Sequence, residues 1–309
     1  MPSIQSRLIN FMLRNRHILT LKFKKEIIDW DTSMSELRLQ HEKSARRLAN
    51  LPEGIQVIED NIEGMHAEWI IPKGASKERV ILYAHGGGYV SGSCLDHRSI
   101  VAKLVDQCKI PALTYDYRLA PEYPFPAALQ DSVKAYRWLL EQNILAEQIV
   151  IAGESAGGGL CLATLIELKQ QGMPLPAAGV ALSPWTDLTC SGESYTTKTR
   201  VCLSPAGSCE VFGHYYIGDN DPKNPGISPL FGEMHGLPPL LIYSGGDEVH
   251  RDDAVQFGER AKTAGVAVNY KIWDGMVHCF PFFAPIMPEA QQAMEEICAF
   301  IQNQLKAGI

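Results

Sequence analysis

Between residues 80 and 305 short apolar runs take turns with segments of helical length, and this rhythm constrains the fold more than any other feature of the chain. RVILYA, IPALTYDY, QIVIAG, AAGVALSP, PLLIYSG and VAVNYKIW read as strands. DHRSIVAKLVDQC, AALQDSVKAYRWLLEQ, GGGLCLATLIELKQQ, RDDAVQFGERAKTAG and MPEAQQAMEEICAFIQNQL read as helices. A strand that is apolar at successive positions has both faces covered, and strand–helix alternation builds a mostly parallel sheet with helices on each side. Ahead of this region GIQVIED and HAEWIIP alternate polar and apolar residues, the pattern of a paired antiparallel edge. The expected fold class is therefore α/β, with eight strands.

Two stretches depart from the rhythm. Residues 1–50 read as helical, with no strand pattern. Residues 186–236 are too long for a simple connection and are expected to hold one or two helices and a turn-rich return. Long insertions at the edge of such a sheet tend to be lids or binding loops. With 309 residues and 46% apolar content the chain is expected to form one domain over 1–309, capped by about 1–50 and about 186–225.

Composition excludes several function classes. The net charge is −7 and the pI about 5.7, so a global basic field for nucleic acid is absent. No stretch of 18 apolar residues occurs, so no membrane-spanning helix is expected. The first 25 residues carry six Lys/Arg before the first acid, Glu26. That segment reads as an amphipathic helix packed on the protein's own body, with a membrane-surface helix or transit peptide as the alternative. The eight cysteines form no C-x-x-C pair and no zinc-finger spacing with histidine. They read as buried thiols of a reducing compartment, hence a cytoplasmic protein, and a homodimer is compatible with the rest.

QIVIAGESAGGGL contains Gly-x-Ser-x-Gly between a strand and a helix, with Ser155 at its centre. That context is the nucleophile elbow, a tight turn that lifts a serine hydroxyl above the sheet. A serine attacking an ester carbonyl generates an oxyanion, and fixed N–H donors each contribute on the order of 3 kcal/mol to its stabilisation. One donor is the amide after the nucleophile, Ala156. The others need a backbone that approaches without side chains, which HGGG after RVILYA provides: Gly87 foremost, with Gly86 or Gly88 beside it. His85 is expected to brace this loop.

The base is a histidine held by a carboxylate, and in this fold the order is serine, acid, histidine. Of the histidines after Ser155, only His278 follows a late strand, in VNYKIWDGMVHCF. The acid is expected after PLLIYSG, where Asp247 and Glu248 are both candidates.

With these residues placed, the chain resembles the hormone-sensitive-lipase family of α/β-hydrolases, the bacterial family IV esterases. The resemblance covers roughly residues 50–305 and rests on HGGGYVSG, YDYRLAPEYPFPAAL, AGESAGGGL, SPWTDL, NPGISPL, GLPPLLI and DGMVHCF in that order. It implies a serine carboxylesterase or lipase with a helical cap, no metal and no organic cofactor. The family's acid stands first in Asp-Pro-Leu-Arg-Asp. The corresponding five residues here are Glu248 to Asp252, which selects Glu248, with Asp247 as the alternative. The residue before the serine, usually Asp, is Glu154 here and reads as structural. Asp116 and Arg118 are expected to hold the loop beside the glycines.

The expected pocket lies between cap and sheet, lined by Trp30, Met34, Tyr89, Trp185, Phe212, Tyr216 and Phe280. An aromatic, lidded site suits small uncharged esters with short to medium acyl chains. The rival readings are a lactone hydrolase on the same site and a non-catalytic small-molecule receptor. The receptors of this resemblance lack the histidine that His278 supplies.

Overall fold

The computed structural model describes residues 1–15, 27–47 and 51–306. Eight strands form one sheet in the order β1-β2-β4-β3-β5-β6-β7-β8. They are β1 (Ile55–Ile62), β2 (Met65–Pro72), β3 (Val80–Ala84), β4 (Ala112–Tyr115), β5 (Ile149–Glu154), β6 (Ala178–Leu182), β7 (Leu240–Gly245) and β8 (Val268–Trp273). β1 pairs antiparallel with β2, and β2 antiparallel with β4; the remaining pairings are parallel. The long helices are α1 (Ile4–Arg14), α2 (Met34–Arg47), α3 (Cys94–Cys108), α4 (Ala127–Glu141) and α5 (Ala156–Gln170). After the short α6 (Ser194–Thr197) come α7 (Ser208–Ile217), α8 (Arg251–Thr263) and α9 (Pro288–Lys306).

Strand pleating explains why the apolar runs are continuous. Val80, Leu82 and Ala84 of β3 join one core, with Leu129 and Val133 of α4, Leu160 of α5 and Phe257 of α8. Ile81 and Tyr83 point the other way, into a second core with Val101 and Val105 of α3 and Ile297 and Ile301 of α9. Alternate residues of β5 and β7 divide in the same way. A side chain every second residue on each face, both faces covered, requires apolar residues at every position.

The expected helical reading of residues 1–50 needs revision. Helices cover Ile4–Arg14 and Met34–Arg47, while Ile27 makes an isolated bridge with Ala206. Residues 16–26 and 48–50, part of that reading, lie outside the described residues. α1 does pack on the body, through the polar Ser6 and Asn10 together with the half-buried Ile9 and Leu13. Ser6 and Asn10 are buried, with Ser6 bonded to Glu289 and Asn10 Nδ2 donating to Gly275 O at 2.9 Å. Ile4, Leu8 and Phe11 are exposed. Among the described residues no helix is long and apolar enough to cross a membrane.

Candidate active site

The C-terminal ends of β3, β5, β7 and β8 carry four loops to one side of the sheet. β3 runs into the glycine loop, β5 into Ser155, β7 into Asp247 and Glu248, and β8 into His278. Ligands bind at this edge in open α/β sheets because the loops there converge over parallel strands.

Ser155 has φ 56° and ψ −122°, a conformation that a residue with a Cβ adopts only under constraint. The constraint is visible. Ser155 N donates to Leu182 O of β6 at 2.9 Å, and Ser155 O accepts from Gly159 N and Trp185 N. Gly157 is required because a Cβ there would lie 2.1 Å from Ala84 O. Its absence lets the start of α5 sit against the end of β3. Ser155 occupies the N-cap of α5, yet its side chain makes no capping bond.

The glycine loop is tied at several points. Gly87 has φ +115°, and a Cβ would meet Ser91 O at 2.2 Å. Val90 N and Ser91 N both donate to Gly87 O. His85 stacks on Tyr117 with ring centroids 4.1 Å apart, and Tyr117 Oη donates to His85 O. Burial holds the His85 imidazole down to a pKa of about 4, so it braces the loop as a neutral ring. Among the described residues the amides of Gly87, Gly88 and Ala156 have no protein acceptor. Gly86 is a correction to the sequence reading: its N–H donates to Glu154 Oε1 at 2.6 Å and is already engaged.

Glu154 therefore links the loop to the serine turn. It is buried, accepts from Tyr83 Oη and Gly86 N, and pairs with His97 Nε2 at 2.9 Å. Burial opposes its charge, but His97 outweighs burial and lowers the Glu154 pKa; the His97 pKa is raised by the same pairing against the same burial. Asp116 accepts from Cys94 N at 2.6 Å, at the start of α3, and contacts His66. Arg118 does not reach the glycine loop as expected; its guanidinium forks onto Asp131 of α4. The arginine that does reach it is Arg38 of α2, whose Nε donates to Val90 O at 2.7 Å.

Glu248 and Asp247 are adjacent in sequence but face different partners. Glu248 is fully buried, accepts from Ser244 Oγ and Gly245 N through Oε1, and bonds to His278 Nδ1 through Oε2. Asp247 lies against Arg14 at 2.7 Å and Lys198 at 3.0 Å. Burial opposes the His278 imidazolium, but its contacts with Cys279 and the Glu248 carboxylate outweigh burial and raise its pKa well above the usual value.

Ser155 and His278 line one cavity of about 370 Å³, with Gly87 and Gly88 in its wall. Of the seven expected lining residues, Trp185 and Phe212 are present and five are not. Tyr89 and Tyr216 stack on each other in the core, centroids 3.7 Å apart, because two large rings gain more from mutual burial than from facing solvent. Phe280 is fully buried against Trp273, and Met34 is buried in the core. Trp30 is 53% exposed and meets His214 edge-on. In their places stand near neighbours in sequence: Leu37 one helical turn after Met34, Phe282 two residues after Phe280, and Ile28. His250 also lines the cavity. Sequence reasoning passed it over as one more late histidine, although it stands two residues from Glu248.

A family model for the alpha/beta hydrolase fold matches residues 81–282. A solved esterase from the bacterial hormone-sensitive lipase family superposes with a TM-score of 0.88 at 39% identity, covering 99% of each chain. The chain belongs to the hormone-sensitive-lipase family of α/β-hydrolases. An acetyl-hydrolase of Streptomyces hygroscopicus is 38% identical over 297 residues, 94% of this chain and 98% of that protein. An esterase of Acinetobacter venetianus is 36% identical over 80% of this chain and 82% of its own length. As a member of this family the chain is a carboxylic ester hydrolase.

Proposed function

We propose that the protein is a serine carboxylesterase for short- to medium-chain acyl esters, acting through an acyl-enzyme. Ser155 Oγ attacks the ester carbonyl. His278 takes the serine proton at Nε2 and returns it to the departing alcohol. Glu248 holds Nδ1 protonated and supports the imidazolium. The free amides of Gly87, Gly88 and Ala156 receive the oxyanion. Water, activated by the same imidazole, then releases the acid. The observation that carries this reading is the Glu248–His278 pair standing with Ser155 on one cavity. The segments about 1–50 and about 186–225 act as the cap in this reading; Ile28 and Leu37 reach the cavity from the first, and Leu203 and Phe212 from the second.

A cavity of about 370 Å³ is at the small end of ligand pockets, which supports short acyl chains. The test is hydrolysis of p-nitrophenyl esters from acetyl to palmitoyl. Turnover is expected to peak at short to medium chains and to fall steeply at palmitoyl. A maximum at palmitoyl refutes the acyl preference. A folded protein inert towards every ester refutes the esterase reading in favour of a lactone or a bound, unhydrolysed ligand.

A pH dependence follows from the same geometry. Acylation needs the neutral His278 ring, whose pKa is raised against burial by Cys279 and Glu248. The value of kcat/KM is therefore expected to rise with pH through a titration above the ordinary histidine value. Replacing Glu248 by Gln removes the carboxylate bonded to the ring and is expected to move that rise to lower pH. An unmoved profile would detach Glu248 from His278.

A further inference from the structure

His250 is a second histidine beside the catalytic pair, and the proposed reaction does not use it. It is 3% exposed, and its Nδ1 has no hydrogen-bond partner among the described residues. Its ring centroid is 5.2 Å from that of His278. One ligand atom each of Glu248, His250 and His278 lie within 4.8 Å of one another. A buried polar atom without a partner is costly, and the imidazole that carries it adjoins two groups able to bind the same ion.

We propose that Glu248, His250 and His278 form an inhibitory binding site for a divalent transition-metal ion of the zinc type. Two imidazoles and a carboxylate are a common donor set for such an ion, with water completing the coordination. The inhibition follows from the tautomer. In the neutral ring that catalysis uses, the proton sits on Nδ1, facing Glu248, and Nε2 carries the lone pair that accepts from Ser155. A metal bound at Nε2 takes that lone pair directly, and one bound at Nδ1 leaves the ring proton on Nε2 instead. No proton is lost, but Nε2 can no longer act as a base. His250 makes the difference between a carboxylate–imidazole pair and a three-donor site.

This inference rests on the serine-esterase reading only for its effect on turnover, so binding and activity are measured separately. The chelator-treated protein is titrated with zinc by calorimetry and assayed on a short p-nitrophenyl ester, as wild type, His250→Leu and Cys209→Ser. The wild type is expected to bind one zinc per chain and to lose activity in step with binding, with recovery on adding EDTA. His250→Leu is expected to bind at least about tenfold more weakly and to resist inhibition to the same degree. Cys209 Sγ lies 3.8 Å from His250 Nε2, so Cys209→Ser tests a rival pair. Its zinc affinity is expected to stay within about twofold of wild type, well short of the tenfold effect of losing a direct donor. Zinc binding that is absent, unaffected by His250→Leu or abolished by Cys209→Ser overturns the proposal. If His250→Leu does not fold, loss of zinc binding in Glu248→Gln together with retention in Cys209→Ser decides for the site, and the reverse decides against it. Zinc-free wild type that hydrolyses no ester overturns the esterase reading and leaves the calorimetric result standing.

Discussion

Ser155→Ala is expected to lower kcat on a short-chain ester by about 10⁵- to 10⁶-fold, leaving the slow turnover that binding and the oxyanion amides sustain alone. The effect is large because the three members of the triad act as a unit: without the hydroxyl, His278 has nothing to deprotonate. The fold should survive. Ser155 makes its structural bonds through its backbone N and O, and its side chain caps nothing. Alanine has a Cβ as serine does, so it meets the same cost at φ 56°. Burst and steady-state kinetics on p-nitrophenyl acetate, with a melting curve of each protein, separate the two effects. A variant that melts like wild type and keeps more than about a hundredth of its rate would remove Ser155 from the chemistry.

The second large effect is expected at the neighbouring acids. Glu248→Gln should lower kcat by about 10³- to 10⁴-fold, since a neutral amide neither supports the imidazolium nor selects the tautomer that leaves Nε2 free. Asp247→Asn should leave kcat within about tenfold, because its carboxylate faces Arg14 and Lys198 rather than the imidazole. What Asp247→Asn loses is stability. Burial opposes the Asp247 charge, but Lys198 and Arg14 outweigh it and lower its pKa. A lowered carboxylate pKa contributes stability that is present above the unfolded value and is lost as pH falls through the folded one. For a partly exposed pair the contribution is about 1 kcal/mol or less. The wild type is thus expected to lose its small melting advantage over Asp247→Asn in acid. If Asp247→Asn carries the larger loss of kcat, the acid is Asp247 and the site must rearrange on binding substrate.

The strands were legible because both faces of the sheet are covered. Burial at every position of VILYA, IVIAGE and LLIYSG writes the sheet into composition as well as pattern. The turns that bear chemistry were legible for a related reason. A serine at positive φ needs glycines around it, and an oxyanion loop must be free of side chains. These backbone demands admit few residue types, so they leave motifs. The pocket lining was much less legible. An aromatic side chain gains by burial wherever it finds it, and nothing local says whether that burial is in the core or against a ligand. Tyr89 and Tyr216 went to the core, while Leu37 and Phe282, one turn or two residues from the expected positions, reached the cavity. Helical and extended geometry turn a side chain away within one or two residues, so a shift that small changes its surroundings completely.

The sequence by itself determined the α/β architecture, the four loops that carry the site, and the candidate nucleophile and base. These follow from periodicity and from local backbone constraint, both of which act between near neighbours in the chain. Only the tertiary structure showed that Glu248, the acid the family resemblance favoured, meets His278 while Asp247 faces away, which glycine amide is consumed by Glu154, and that the Nδ1 of His250 has no partner among the described residues. Each of these depends on where side chains from separate loops meet. That is set by the packing of the sheet and its helices, not by the order of residues within any one loop.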